Sequence, residues 1–296
     1  MEEETDSGLN LWDSYREGEG LNMEAEKYVK DCFDFCCEQT KEWNYETGVM
    51  LMGAKQMYEV TGEEKYFSLI ESCLDALITQ DGEIKNYPEE NERIESISCG
   101  RVLYFIYDKT KNEKYRKAID FVMNKLRECP RCESGNFLYQ TEEPSEAWLD
   151  ALYMTQPFYM EYETKYNKKE KYNDIINQFE NVQDFLYNKK EVQLRSVEKY
   201  LAALIDAMDN MSFEIYEQYR KLQDNFKLTL KNIMPCQDVL ISYCIMKACR
   251  MGVLLKEKYA DSAMKIIENP GEDSVDDAEK AGIFLMAYSQ YLRLNG

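Results

Sequence analysis

Thr61-Gly-Glu-Glu-Lys-Tyr66 returns as Thr110-Lys-Asn-Glu-Lys-Tyr115, as Asn167-Lys-Lys-Glu-Lys-Tyr172 and, shortened, as Lys256-Glu-Lys-Tyr259. Each copy is a polar turn that follows one apolar segment and opens the next. Tyr219, in Tyr216-Glu-Gln-Tyr219-Arg-Lys221, fills the gap between the third and fourth copies. The interval suits one helical hairpin per repeat, and self-similarity at such a period marks a repeat architecture.

Two classes of helix are predicted to alternate between these turns. One is nearly apolar all round: residues 48–60, 99–107, 147–162, 197–208, 239–255 and 281–292. The other is amphipathic with a charged face: residues 23–39, 65–79, 114–126, 171–186, 213–230 and 257–267. Helices apolar all round are buried and amphipathic ones face water. Six of each, in strict alternation, predict an all-α (α/α)6 barrel, a toroid of inner helices ringed by outer ones, with an open solenoid of helix pairs as the competing geometry. In a toroid the inner helices run parallel. Their N-termini and unsatisfied N–H groups then gather at one mouth, which favours anions. Residues just before or in the first turn of those helices are the candidates for function: Trp43 and Tyr45, Glu95, Trp148 and Asp150, Gln193 and Arg195, Gln237 and Asp238, and Glu279 and Lys280.

Composition narrows the chemistry. The 296 residues carry 36 Lys+Arg against 56 Asp+Glu, a formal charge of -20, and no histidine. Without imidazole there is no Ser-His-Asp triad, no Cys-His dyad and no His-ligated metal, so chemistry falls to carboxylates, Tyr, Lys, Arg or Cys. The negative excess argues against nucleic acid and anionic membranes as partners. Apolar runs are far shorter than the roughly 20 residues of a membrane span. Met1-Glu-Glu-Glu4 lacks the basic and apolar parts of a signal peptide, so a soluble cytoplasmic protein is expected, as a monomer or weak dimer. Gly8, Gly18 and Gly20 among many acids make residues 1–20 a loose acidic arm, with one barrel domain over 21–296. Cys129-Pro-Arg-Cys132 has C-x-x-C spacing but no second pair at zinc-ribbon distance. The ten cysteines therefore read as reduced core residues, with no metal and no cofactor expected.

At the inner-helix starts the chain resembles the unsaturated glucuronyl and rhamnogalacturonyl hydrolases, glycoside hydrolase families 88 and 105. The stretches that carry the resemblance are Trp43-Asn-Tyr-Glu-Thr-Gly48, Asp81-Gly-Glu-Ile84, Ile94-Glu-Ser-Ile-Ser-Cys-Gly100, Pro130-Arg131 and Gly135-Asn-Phe137. The most specific is Trp148-Leu-Asp-Ala-Leu-Tyr-Met154 followed by Pro157-Phe158; Arg195-Ser-Val197 and Ala281-Gly-Ile-Phe284 match more weakly.

The resemblance implies an enzyme acting on the 4,5-unsaturated uronic acid that polysaccharide lyases leave on oligosaccharides. Asp150 would be the acid/base that protonates the vinyl ether and activates water, and Glu95 would stand where the family has an aspartate that holds ring hydroxyls. Arg195 matches an arginine near the substrate carboxylate, which a guanidinium can bind bidentately. Trp43, Tyr45, Trp148, Tyr139 and Lys280 complete the expected substrate contacts, the partner being an acidic oligosaccharide. Some positions depart from the family pattern. Tyr139 and Glu279 stand where family histidines occur, and Gln193 and Lys199 where platform tryptophans occur. Two alternatives stand beside the hydrolase: a sugar-binding descendant that no longer hydrolyses, and a helical-repeat scaffold that binds protein.

Overall fold

The computed structural model describes residues 11–87, 93–138, 147–188, 192–212, 214–234, 238–271 and 274–295. Outer helices are α1 (Leu11–Gln39), α3 (Glu64–Leu77), α6 (Glu113–Glu128), α8 (Tyr172–Asn188), α10 (Tyr216–Ile233) and α12 (Lys256–Glu268). Inner helices are α2 (Tyr45–Thr61), α7 (Ala147–Lys165), α9 (Leu194–Asp209), α11 (Val239–Arg250) and α13 (Ala278–Asn295). The second inner position is a broken rod made of α4 (Arg93–Ile97), a 3-10 turn (Ser98–Val102) and α5 (Leu103–Thr110). Among the described residues the β structure is limited to the bridges Ile78–Ile84 and Arg131–Phe137. The first helix begins at Leu11, earlier than the start expected near Met23, and runs through Gly18 and Gly20, each of which costs a helix about 1 kcal/mol. Residues 1–10 of the expected arm lie outside the described residues.

The repeated turn has a local physical cause. Gly62 (φ 70°) and Lys111 (φ 53°) end α2 and α5 in the left-handed region, and their N–H groups donate to Tyr58 O and Tyr107 O. This is the αL stop that satisfies a helix's last carbonyls. Thr61 and Thr110 each donate a hydroxyl back to the carbonyl four residues earlier, and accept from Glu63 N and Asn112 N beyond the turn. Tyr66, Tyr115 and Tyr172 then drop into the core.

Each inner helix packs on the next. α2 meets the 3-10 turn, which meets α7; then come α9, α11 and α13, and α13 returns to α2. The ring is closed, so the fold is the (α/α)6 toroid and not the open solenoid. The closing seam is the tightest place in it. A Cβ on Gly282 would lie 2.6 Å from Val49 C and 2.7 Å from Met50 N, and one on Gly53 would lie 2.7 Å from Gly282 O. Glycine is unfavourable inside a helix; here it lets two backbones touch. Gly282→Ala is expected to push α13 off α2 and cost about 1–3 kcal/mol, the range for overpacking. Urea unfolding measures this, and an unchanged midpoint would show that the seam is not rigid.

Below the seam a buried polar network crosses the ring. Asp206 (α9) takes Arg101 from the 3-10 turn, Lys247 Nζ at 2.8 Å and the Tyr243 hydroxyl at 2.6 Å from α11. Gln56 (α2) donates to Tyr243 OH at 3.1 Å and accepts from Ser289 and Gln290 of α13 at 3.0 and 2.9 Å. The sixth position, α7, contributes Tyr153, whose ring lies 5.6 Å from the Arg101 guanidinium. Every inner element therefore contributes to one floor under the other mouth.

Candidate active site

The mouth opposite that network is built from first turns. Glu279, at the start of α13, accepts the Tyr45 hydroxyl from the start of α2. The same carboxylate pairs with Arg195 Nη2 at 3.2 Å and Lys199 Nζ at 3.4 Å, both from the start of α9. Arg195 Nη1 reaches Glu198 at 3.2 Å and Asp238 at 3.8 Å. Asp238 caps α11 by accepting from Leu240 N at 2.7 Å. The Lys199 ammonium sits 5.0 Å from the centre of the Tyr45 ring. Four inner-helix N-termini thus share one charge network, as parallel inner helices require.

Asp150 joins it from the first turn of α7. Burial pushes its carboxyl above the ordinary aspartate range; Lys199, a hydrogen bond from Ser196 and Arg195 oppose the rise, and Glu279 adds to it. Glu279 goes the other way. Burial alone would raise it, but Lys199, the Tyr45 hydroxyl and Arg195 outweigh burial and hold it below the usual glutamate value. Two neighbouring carboxyls shifted in opposite directions suit a division of roles between an acid and an anion. Burial would also weaken Arg195, yet Glu279, Glu198 and Asp238 keep its guanidinium firmly charged.

The other expected site residues are placed as follows. Trp43 is 3% exposed and its indole N–H donates to Ser96 O at 2.9 Å, which ties the start of α2 to α4. Glu95 is half-buried in α4, a helix that packs on α7, and its carbonyl accepts the Ser98 hydroxyl at 2.8 Å. Lys280 is exposed and lines, with Arg195 and Asp238, an adjoining pocket of about 520 Å³. Tyr139 lies outside the described residues, as does the side chain of Trp148, whose backbone is in α7. Glu279 and Lys199 were not selected from the sequence as substrate or catalytic groups. The signal was a charged residue in the first turn of α13 for Glu279 and in the second turn of α9, one turn after Arg195, for Lys199.

Comparison with known proteins places this geometry. The family model described as Glycosyl Hydrolase Family 88 matches residues 21–200. The unsaturated rhamnogalacturonyl hydrolase YesR of Bacillus subtilis strain 168 is 25% identical over 150 residues. That match covers 49% of this chain and 42% of the relative, so the chain spans less than half the length of the relative it matches. Among solved structures, a family 105 glycoside hydrolase of C. acetobutylicum ATCC 824 superposes with a TM-score of 0.77 at 22% identity, covering 90% of this chain and 99% of the other. A family 88 glycosyl hydrolase from Bacteroides vulgatus gives 0.63 at 14% identity, covering 92% and 99%. These superpositions establish the toroid. The family match extends from α1 through the N-terminal parts of α2, α7 and α9, which carry Tyr45, Asp150, Arg195 and Lys199, so the chain belongs to glycosyl hydrolase family 88.

Proposed function

We propose that the chain hydrolyses unsaturated uronyl oligosaccharides by hydrating their vinyl ether, with Asp150 as acid and base. The observation that carries this reading is the opposed pair: the Asp150 carboxyl is raised by burial while Glu279, paired with Lys199, Tyr45 and Arg195, is held below the usual glutamate value. Asp150 gives its proton to C4 of the ring double bond. Water adds to C5 and returns a proton to the Asp150 carboxylate. The hemiketal opens to a C5 ketone, and the hemiacetal left at C1 expels the next sugar as its alcohol, so one water is consumed overall. Arg195 and Lys199 face the charge that the uronate carboxylate brings, and the helix N-termini favour it further. Glu95 and Tyr45 are assigned to the ring hydroxyls. The name of the B. subtilis relative supports the substrate class.

We assign the activity to the cytoplasm, to a monomer or weak dimer that engages neither nucleic acid nor membrane. All nine cysteines among the described residues are free, as suits a reducing compartment. No helix among the described residues is long and apolar enough to cross a membrane. No cluster of three or more His, Cys, Asp or Glu side chains that could hold a metal occurs among the described residues. Incubation with lyase-generated unsaturated disaccharides, following the loss of enol-ether absorbance, tests the reading. Turnover of at least one uronide is expected. Absence of turnover across glucuronyl and galacturonyl substrates, at any pH from acid to mildly alkaline, refutes it.

A further inference from the structure

Tyr153 lies one turn after Asp150 on α7 and is 1% exposed, yet its hydroxyl has no hydrogen-bond partner among the described residues. Asp150 Oδ1, also buried, has none either. A buried hydroxyl left unpaired costs about 1–3 kcal/mol. Phenylalanine would fill the same space without that cost. The fold therefore keeps two polar atoms, a donor and an acceptor, on one face of one helix where nothing in the described protein uses them.

They rise from one face of α7 and have Glu279 as a common neighbour. The Tyr153 ring meets the Tyr45 ring edge-on at 6.3 Å, and Tyr45 holds Glu279. Glu279 acts electrostatically on both Asp150 and Tyr153. On its other side Tyr153 rests against Arg101, so it forms the boundary between the mouth and the buried network. Burial raises the phenol above its ordinary range, Arg101 opposes this, and Asp206 and Glu279 add to it, so the group stays protonated and donates. Residues three apart on a helix have Cβ atoms about 5–6 Å apart. Side chains at that spacing share a helix face, and one water making two hydrogen bonds of about 2.8 Å joins polar atoms roughly 5 Å apart on it.

We propose that Tyr153 and Asp150 form a seat for a single water at the floor of the mouth, Tyr153 donating to its oxygen and Asp150 Oδ1 accepting one of its protons. The inference rests on the hydrolase reading for the identity of this water as the reacting one, but the seat itself does not. A water held this way has its second proton and a lone pair facing the substrate, and the carboxylate that accepts its proton is already in place. Tyr153 thereby becomes a water-positioning residue.

The test combines a crystal structure of the wild-type protein with the variant Tyr153→Phe. The expected crystal structure has one water within hydrogen-bond reach of both Tyr153 OH and Asp150 Oδ1, absent or displaced in the variant. Tyr153→Phe is expected to keep or raise the melting temperature, since it removes only a hydroxyl unpaired within the protein. Its kcat should fall about 100-fold with KM nearly unchanged. Three results overturn the proposal: no water between the two groups, Tyr153 bonded instead to Asp206 or Arg101, or a variant whose KM rises while kcat holds, which would make the hydroxyl a sugar contact. If the water is present and the wild type turns over no unsaturated uronide, the seat stands and the hydrolase reading fails.

Discussion

Asp206→Asn is expected to cost about 3–5 kcal/mol of stability, the effect of removing one partner from a buried ion pair. The carboxylate is 1% exposed and takes Arg101, Lys247 and Tyr243 at once. Burial pushes its pKa up, but Lys247 and Arg101 outweigh burial and hold it below the usual aspartate value. Without it Lys247 retains Asp209 at 2.9 Å, but Arg101 has no other carboxylate among its ion pairs within the described residues. The stranded guanidinium is the main cost. Arg101→Met leaves Asp206 with Lys247 and Tyr243 and should cost less, and Asp209→Asn, at a more exposed carboxylate, less again. Chemical denaturation gives all three midpoints. Any other order would mean that the network does not work as a unit. Acid titration gives a second reading. Asp206 and Asp209 both titrate below their ordinary value, so the stability they contribute is present above about pH 4 and is lost as pH falls towards their native pKa values. In Asp206→Asn the stability curve below pH 4 should be flatter.

That network is also where the sequence was least legible. The alternation of apolar and amphipathic segments placed all twelve rods of the toroid, because burial leaves a mark on every residue of a helix. It did not foretell the break at Ser98–Val102, where the chain tightens to pass Gly48 at a separation that leaves no room for a Cβ: one there would lie 2.8 Å from the Cys99 backbone. Nor did it reveal that Arg101, Asp206 and Lys247 meet, because the contacts span 105 and 41 residues of sequence. At the mouth, Asp150, Tyr45 and Arg195 were legible from position and motif. Lys280 was chosen over Glu279 because position before a helix does not fix rotation about its axis. One residue is about 100° of turn, enough to place Glu279 on Tyr45 and Arg195 and Lys280 in solvent.

Asp150→Asn should separate activity from stability more sharply than any other change. Asparagine keeps the size of the side chain and one acceptor oxygen, but it cannot give a proton to C4 or take one from water. If one carboxyl serves both steps, kcat falls about 10³- to 10⁴-fold with KM little altered. Stability should move the other way. The native pKa of Asp150 lies above its unfolded value, so the native state binds more protons and its ionisation becomes a cost as pH rises through that native value. The amide removes this cost, and the variant should unfold at an equal or higher urea concentration near pH 7. The same shift fixes the alkaline limb of kcat/KM: activity needs the protonated acid and declines as pH rises through the native pKa. Burial is the main cause of that raised value, and Glu279 adds to it, since its charge raises Asp150 while its contacts hold Lys199 and Arg195. Glu279→Gln removes the charge and loosens both cations towards Asp150, and both effects lower the Asp150 pKa. The alkaline limb should move to lower pH. A limb that stays in place, or moves up, would show that the two carboxyls do not act on each other and that the anion beside the acid is another group.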